Sequence, residues 1–162
     1  MPKPLKHELW RGPAKQGDIL RDTIGLAPKQ IVLIDGVFHQ ALAVWHKELV
    51  YSMLDSVRCI GASSMGALRA AELWRYGMVG IGEIFRAYQN GQTEDDSWVA
   101  MTFDPETYKP LTDPPCGSEQ KYMDAMEAIR YARENKTPAK CTLDKKAVTP
   151  FLRAIINRIL ET

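Results

Sequence analysis

Residues 57–73 read VRCIGASSMGALRAAEL. The stretch opens as a continuous apolar run, narrows to small residues and continues in helix formers. A short apolar run bounded by turn residues is a buried strand, and an Ala- and Leu-rich run behind it is a helix. The reading is a strand over 57–62, a tight corner, and a helix over 66–76.

Working upstream, the β-branched run at 30–34 ends on Asp35-Gly36, which predicts a second buried strand closed by a turn. Between the two strands, Leu42, Trp45, Leu49 and Met53 fall three to four apart, as on one face of a helix over 38–54. Strand, helix, strand, helix is a βαβ unit, whose strands are parallel and whose crossover is right-handed. A helix over 18–26 with Asp18 as cap precedes the unit. A short helix over 81–89, a third strand over 97–103, and helices over 118–134 (Ser118 as cap) and 143–160 (broken near Pro150) follow it. The apolar segment Gly77 to Gly82 reads as a flexible loop, either a partner surface or merely a close-packed corner. The expected fold class is α/β: a small parallel sheet of two to four strands with flanking helices and a helical C-terminal part. Residues 1–17, with three prolines and two glycines, read as an extended arm; 18–115 form the core and 116–162 the helical segment. So thin a sheet predicts completion by a further strand not yet identified in the chain, by a partner strand or by a homo-oligomer.

The 162 residues suit one core, with 45% hydrophobic and 25% charged residues. A formal net charge of +1 provides no global field for nucleic acid or anionic membrane. The longest apolar runs are too short to span a bilayer, and MPKPLKHELW has no signal-peptide h-region, so the expected location is cytoplasmic. The three cysteines, Cys59, Cys116 and Cys141, include no C-x-x-C pair; neither a disulfide framework nor a metal site is expected. Cys59, inside an apolar run, reads as a core residue.

Around Ser64 the corner reads Ala-x-Ser-x-Gly, a variant of the nucleophile elbow. A serine there projects beyond the carboxyl end of the sheet, where the Met65 N–H and the helix N-terminus can stabilise an oxyanion. The bland reading is that Ser63 or Ser64 caps the helix. Asp35 ends the neighbouring strand and, in a parallel sheet, shares the same rim; alternatively it shapes the Asp-Gly turn. His39, just past Asp35, and His46, beside Trp45, are candidate bases. Ser63, Met65, Gly66 and Arg69 are candidate anion-binding residues, although Arg69 also stands three residues from Glu72 and can pair with it. Glu94-Asp95-Asp96 is either a cation ligand set or a solvated acidic cap. There is no phosphate-loop pattern, and no cofactor is expected.

Taken together, GDIL at 17–20, IDGVF at 34–38, AVWHKELVY at 43–51, ASSMGALRAAEL at 62–73, YGMVGIGEIFRAYQNG at 76–91 and EDDSWVAM at 94–101 resemble the TfuA-like family in order and spacing, over roughly residues 11–115. The resemblance implies an accessory partner of a YcaO-type enzyme, which uses ATP to insert sulfur into the backbone of a ribosomal peptide or protein. It further implies action on a thiocarboxylated sulfur-carrier protein, as a hydrolase that releases sulfide or as an adaptor that docks the carrier. On the hydrolase reading Ser64 attacks, His39 or His46 manages the proton, and Asp35 is an alternative means of placing water.

Overall fold

The structure, a computed structural model, describes residues 2–36, 42–102, 104, 106–107, 109–137, 141–144 and 146. Three parallel strands, β1 (Gln30–Leu33), β2 (Arg58–Ala62) and β3 (Val79–Ile81), form one sheet in the order β1-β2-β3. The crossovers are α2 (His46–Leu54) between β1 and β2, and α3 (Met65–Leu73) between β2 and β3. α1 (Asp18–Leu26) precedes β1; α4 (Glu83–Gln89) and α5 (Ser118–Glu134) follow β3. The parallel pairing of 30–33 with 58–61 and the α/β class are as the sequence predicts.

Central β2 is buried along its whole length, which is why Cys59 to Ala62 are apolar without alternation, while the guanidinium of Arg58 at its start donates to the Asn135 carbonyl and the Tyr131 hydroxyl. One face packs Leu33 and Cys59 against Leu49 and Met53 of α2 and Ala67 and Ala70 of α3. The other face sets Ile60 and Ala62 against Ala128 and Ala132 of α5. Burial pushes the Cys59 thiol up to about 12, so this cysteine is an inert core residue.

Several expected elements are corrected. The third strand is Val79–Ile81, where a flexible loop was expected; Met78 is buried, and Val79 to Ile81 pair with Ile60 to Ala62. The described residues 97–102 hold no strand: Asp96–Val99 is a 3-10 turn whose N-terminus is capped by Asp95, which accepts from the Ser97 N–H at 2.8 Å. That contact favours the acidic-cap reading of 94–96. The crossover helix begins at His46, with Trp45 as its N-cap, while Leu42 is exposed and outside the apolar face. α3 stops at Leu73 and tightens into a 3-10 turn over Trp74–Tyr76, and α4 starts at Glu83 behind Gly82. Gly17 and Gly117, both at positive φ, occupy the N-cap positions expected of Asp18 and Ser118. His39 and most of the expected 143–160 helix lie outside the described residues.

α5 runs antiparallel to the strands. Near its end, the Ala132 carbonyl accepts from Gln30 at 3.0 Å and the Asn135 carbonyl from Arg58 at 2.6 Å, both at the strand starts. Nearer its beginning, Asp124 accepts from the N–H groups of Glu83 at 3.0 Å and Ile84 at 2.8 Å, behind the end of β3. The first turn of α5 therefore sits over the carboxyl rim.

Candidate active site

The rim is built by register. Leu33 stands opposite Gly61, so two residues on Asp35 comes level with Ser63. The Ser64 N–H donates to the Ile34 carbonyl at 3.1 Å and carries the ladder one step past the strands. α3 then turns back so closely that a Cβ on Gly66 would lie 1.8 Å from the Leu33 carbonyl oxygen, and one on Gly61 2.1 Å from the Gly66 oxygen. Real Cβ atoms do not approach so near, which explains both glycines in the corner sequence. The corner residue itself is Ser63, at φ 72 in the left-handed region that non-glycine residues seldom adopt.

Ser63 and Ser64 are both buried. Ser64 occupies the N-cap position of α3 but makes no side-chain cap bond; its hydroxyl donates to the Val99 carbonyl at 3.1 Å. The N–H groups of Met65 and Gly66, at the free end of α3, bond to no described residue, leaving donors directed as in an anion site.

Asp35 is half-buried, and its Oδ1 accepts from the Gly36 N–H at 2.9 Å. Burial raises its carboxyl above the ordinary aspartate value, while the positive charge of Lys121, the neighbouring Ser64 hydroxyl and the Gly36 N–H pull it back. Asp35 and Ser64 are thus brought together.

The structure does not bring His46 into this group. Its Nε2 lies 2.6 Å from Glu72 Oε2. Arg69 is likewise engaged, donating to Glu72 at 2.7 Å and to the Val44 carbonyl at 2.8 Å. His46 and Arg69 tie α2 to α3, and Arg69 follows the pairing reading of its sequence position.

Sequence reading missed Lys121. It lies in the first turn of α5 on the buried stripe of Ala125, Ala128 and Ala132. Its residue exposure is 6%, and its Nζ has no hydrogen-bond partner among the described residues. Burial lowers its affinity for a proton, while Asp35 and Cys116 raise it. The available signal was a lysine continuing an alanine stripe at positions i, i+4, i+7 and i+11.

The TfuA-like protein family profile matches residues 35–146, well over half of the chain. The chain belongs to the TfuA-like family. The match begins at Asp35, later than the resemblance drawn from 11, and runs beyond 115 to take in α5. Both Asp35 and Lys121 lie within the TfuA-like region. The TfuA-like assignment supports an accessory role in a YcaO-associated system. No curated protein matches the chain. No described helix is long and apolar enough to cross a membrane.

Proposed function

We propose that this TfuA-like protein releases sulfide from a thiocarboxylated sulfur-carrier protein and so supplies a YcaO-type enzyme that thioamidates a ribosomal peptide or protein. The observation that carries the reading is the meeting of Asp35 and Ser64 at the carboxyl rim, next in the chain to the N–H groups of Met65 and Gly66, which bond to no described residue.

The reaction is a hydrolysis. A thiocarboxylate, R–COS⁻, and water give R–COO⁻, HS⁻ and a proton. In the covalent route a serine oxygen attacks the acyl carbon, its proton passes by way of Asp35 to the sulfur, and the sulfur leaves as hydrosulfide; water, giving a proton to Asp35, then attacks the ester, which releases the carboxylate and restores the serine. In the direct route Asp35 takes the proton of an attacking water. Either way, negative charge grows on the acyl oxygen, where the first N–H groups of α3 act in a water-poor setting. On this reading Asp35 serves as the base in place of His46, which is held by Glu72; His39, the other candidate base, lies outside the described residues. A carboxyl raised by burial is a better base near neutrality than an ordinary aspartate. Because both serines are buried, a slender chain end suits the site better than a folded surface.

One observation favours the adaptor reading: the Ser64 hydroxyl is already bonded to the Val99 carbonyl. On that reading the rim grips the carrier's C-terminus without chemistry, and the YcaO enzyme or another protein frees the sulfur. Purified protein mixed with thiocarboxylated carrier, with no YcaO enzyme present, separates the two. The hydrolase reading predicts catalytic sulfide release by many turnovers. Binding of the carrier with no release above the uncatalysed rate contradicts it and leaves the adaptor.

A further inference from the structure

We propose that Lys121 is a substrate-contacting residue, whose ammonium group receives the negative end of the acyl substrate at the carboxyl rim. This rests on the hydrolase reading for the identity of that substrate, but not for the existence of the anion site.

The case begins with placement. α5 is antiparallel to the strands, so its first turn overlies the rim that holds Asp35 and the 62–66 corner. Lys121 extends the alanine stripe that faces the sheet, and its side chain is directed inward with that stripe. Long charged side chains near a helix end ordinarily reach for water. This one is 6% exposed, and its Nζ meets no acceptor among the described residues.

A buried ammonium with three unused donors is costly, and native proteins rarely keep one without a partner or a function. Asp35 is near enough to act on it electrostatically, yet the two form no ion pair within hydrogen-bonding distance. Cys116 stands on the same side and also feels the lysine charge. An anionic acyl group at the rim would supply the acceptor that Nζ lacks among the described residues. A thiocarboxylate has the right charge and two acceptor atoms. Its own charge repels an attacking nucleophile, and an adjacent ammonium removes that obstacle. The α3 N–H groups then remain free for the acyl oxygen. Burial depresses the basicity of Lys121, and an incoming anion restores the charged form.

The test is Lys121→Met, which keeps the stem and removes the charge. Removing an unpartnered buried ammonium is expected to hold or raise the melting temperature, the opposite of losing a structural ion pair. Sulfide release from thiocarboxylated carrier should fall about a hundredfold or more. Thioacetate, as a minimal probe, should give a saturable melting-temperature rise with wild type and none with Lys121→Met. Lys121→Arg keeps the charge and should retain probe binding. If wild type binds thioacetate through Lys121 yet releases no sulfide, the hydrolase reading fails and the anion site stands. If wild type releases sulfide and Lys121→Met releases it equally fast, the lysine proposal is overturned and the hydrolase reading stands. A Lys121→Met protein that unfolds while Lys121→Arg binds no probe also overturns it, by making the lysine structural.

Discussion

At the scale of single residues, Ser63 is the strained position of the rim, one of three described non-glycine residues at positive φ with Ala27 and Ser56. It has a side chain, yet its φ is 72, a conformation costing a non-glycine residue about 1 kcal/mol. The turn must be this tight because Gly66 lies against the Leu33 carbonyl. Ser63→Gly is therefore expected to stabilise the protein by roughly 0.5–1 kcal/mol relative to Ser63→Ala, which retains the strain. Denaturant melts of the two variants check this; a Ser63→Gly protein less stable than Ser63→Ala contradicts the strained-corner account. The corner was legible in sequence, since small residues between a strand and a helix leave few alternatives. Which serine carries the strain was not: Ala-x-Ser-x-Gly centres on Ser64, while the backbone bends at Ser63. Lys121 was hidden because a lysine in a helix ordinarily faces water, and only the tilt of α5 over the rim turns this one inward.

At the scale of elements, α2 and α3 are joined by a polar clamp of His46, Arg69 and Glu72. Burial alone would raise the Glu72 carboxyl, but the hydrogen bond from His46 and the charge of Arg69 outweigh it, and the net shift is downward. A carboxyl lowered on folding contributes stability fully present above its unfolded value and lost as pH falls through the folded one. The clamp is thus a source of acid sensitivity rather than of catalysis. His46→Gln should leave sulfide release within about twofold of wild type, since the residue lies outside the rim cluster; a hundredfold loss at unchanged melting temperature would return it to the catalytic set. Strands β1 and β2 were readable because each holds a short apolar run, Ile31 to Leu33 and Cys59 to Ala62, behind a single polar residue. β3 was not, because three residues between Gly77 and Gly82 are too few to show a period. Only pairing with Ile60 to Ala62 makes it a strand. Leu42 misled for the converse reason: it keeps helical spacing with Trp45, but the chain turns into α2 only after both.

At the scale of the whole molecule, the rim is held from two sides. The N-terminal arm reaches it through the Ala14 N–H, which donates to the Asp35 carbonyl at 3.2 Å. The same arm is fastened to α5 by Glu8, which takes hydrogen bonds from Arg133 at 2.8 and 2.9 Å. That bond holds the Glu8 carboxyl down to about 2, so the fastening survives to strongly acid pH and is lost as pH falls through that value. Arm, β1 and α5 therefore fix the positions of Asp35 and Lys121 together. The sign for Asp35 is the reverse of that for Glu8. Its carboxyl is raised on folding, so its ionisation costs stability as pH rises from the unfolded value through the folded one. The burial that raises the Asp35 carboxyl accompanies its place beside Ser64 at the rim, where the proposed reaction occurs. The most direct measurement is the rate of sulfide release by Asp35→Asn, with its melting temperature taken on the same sample at neutral pH. The account predicts a melting temperature within a few degrees of wild type and a rate lower by about a hundredfold or more, the scale of losing a positioned base. An Asp35→Asn protein that folds normally and releases sulfide at the wild-type rate would contradict it.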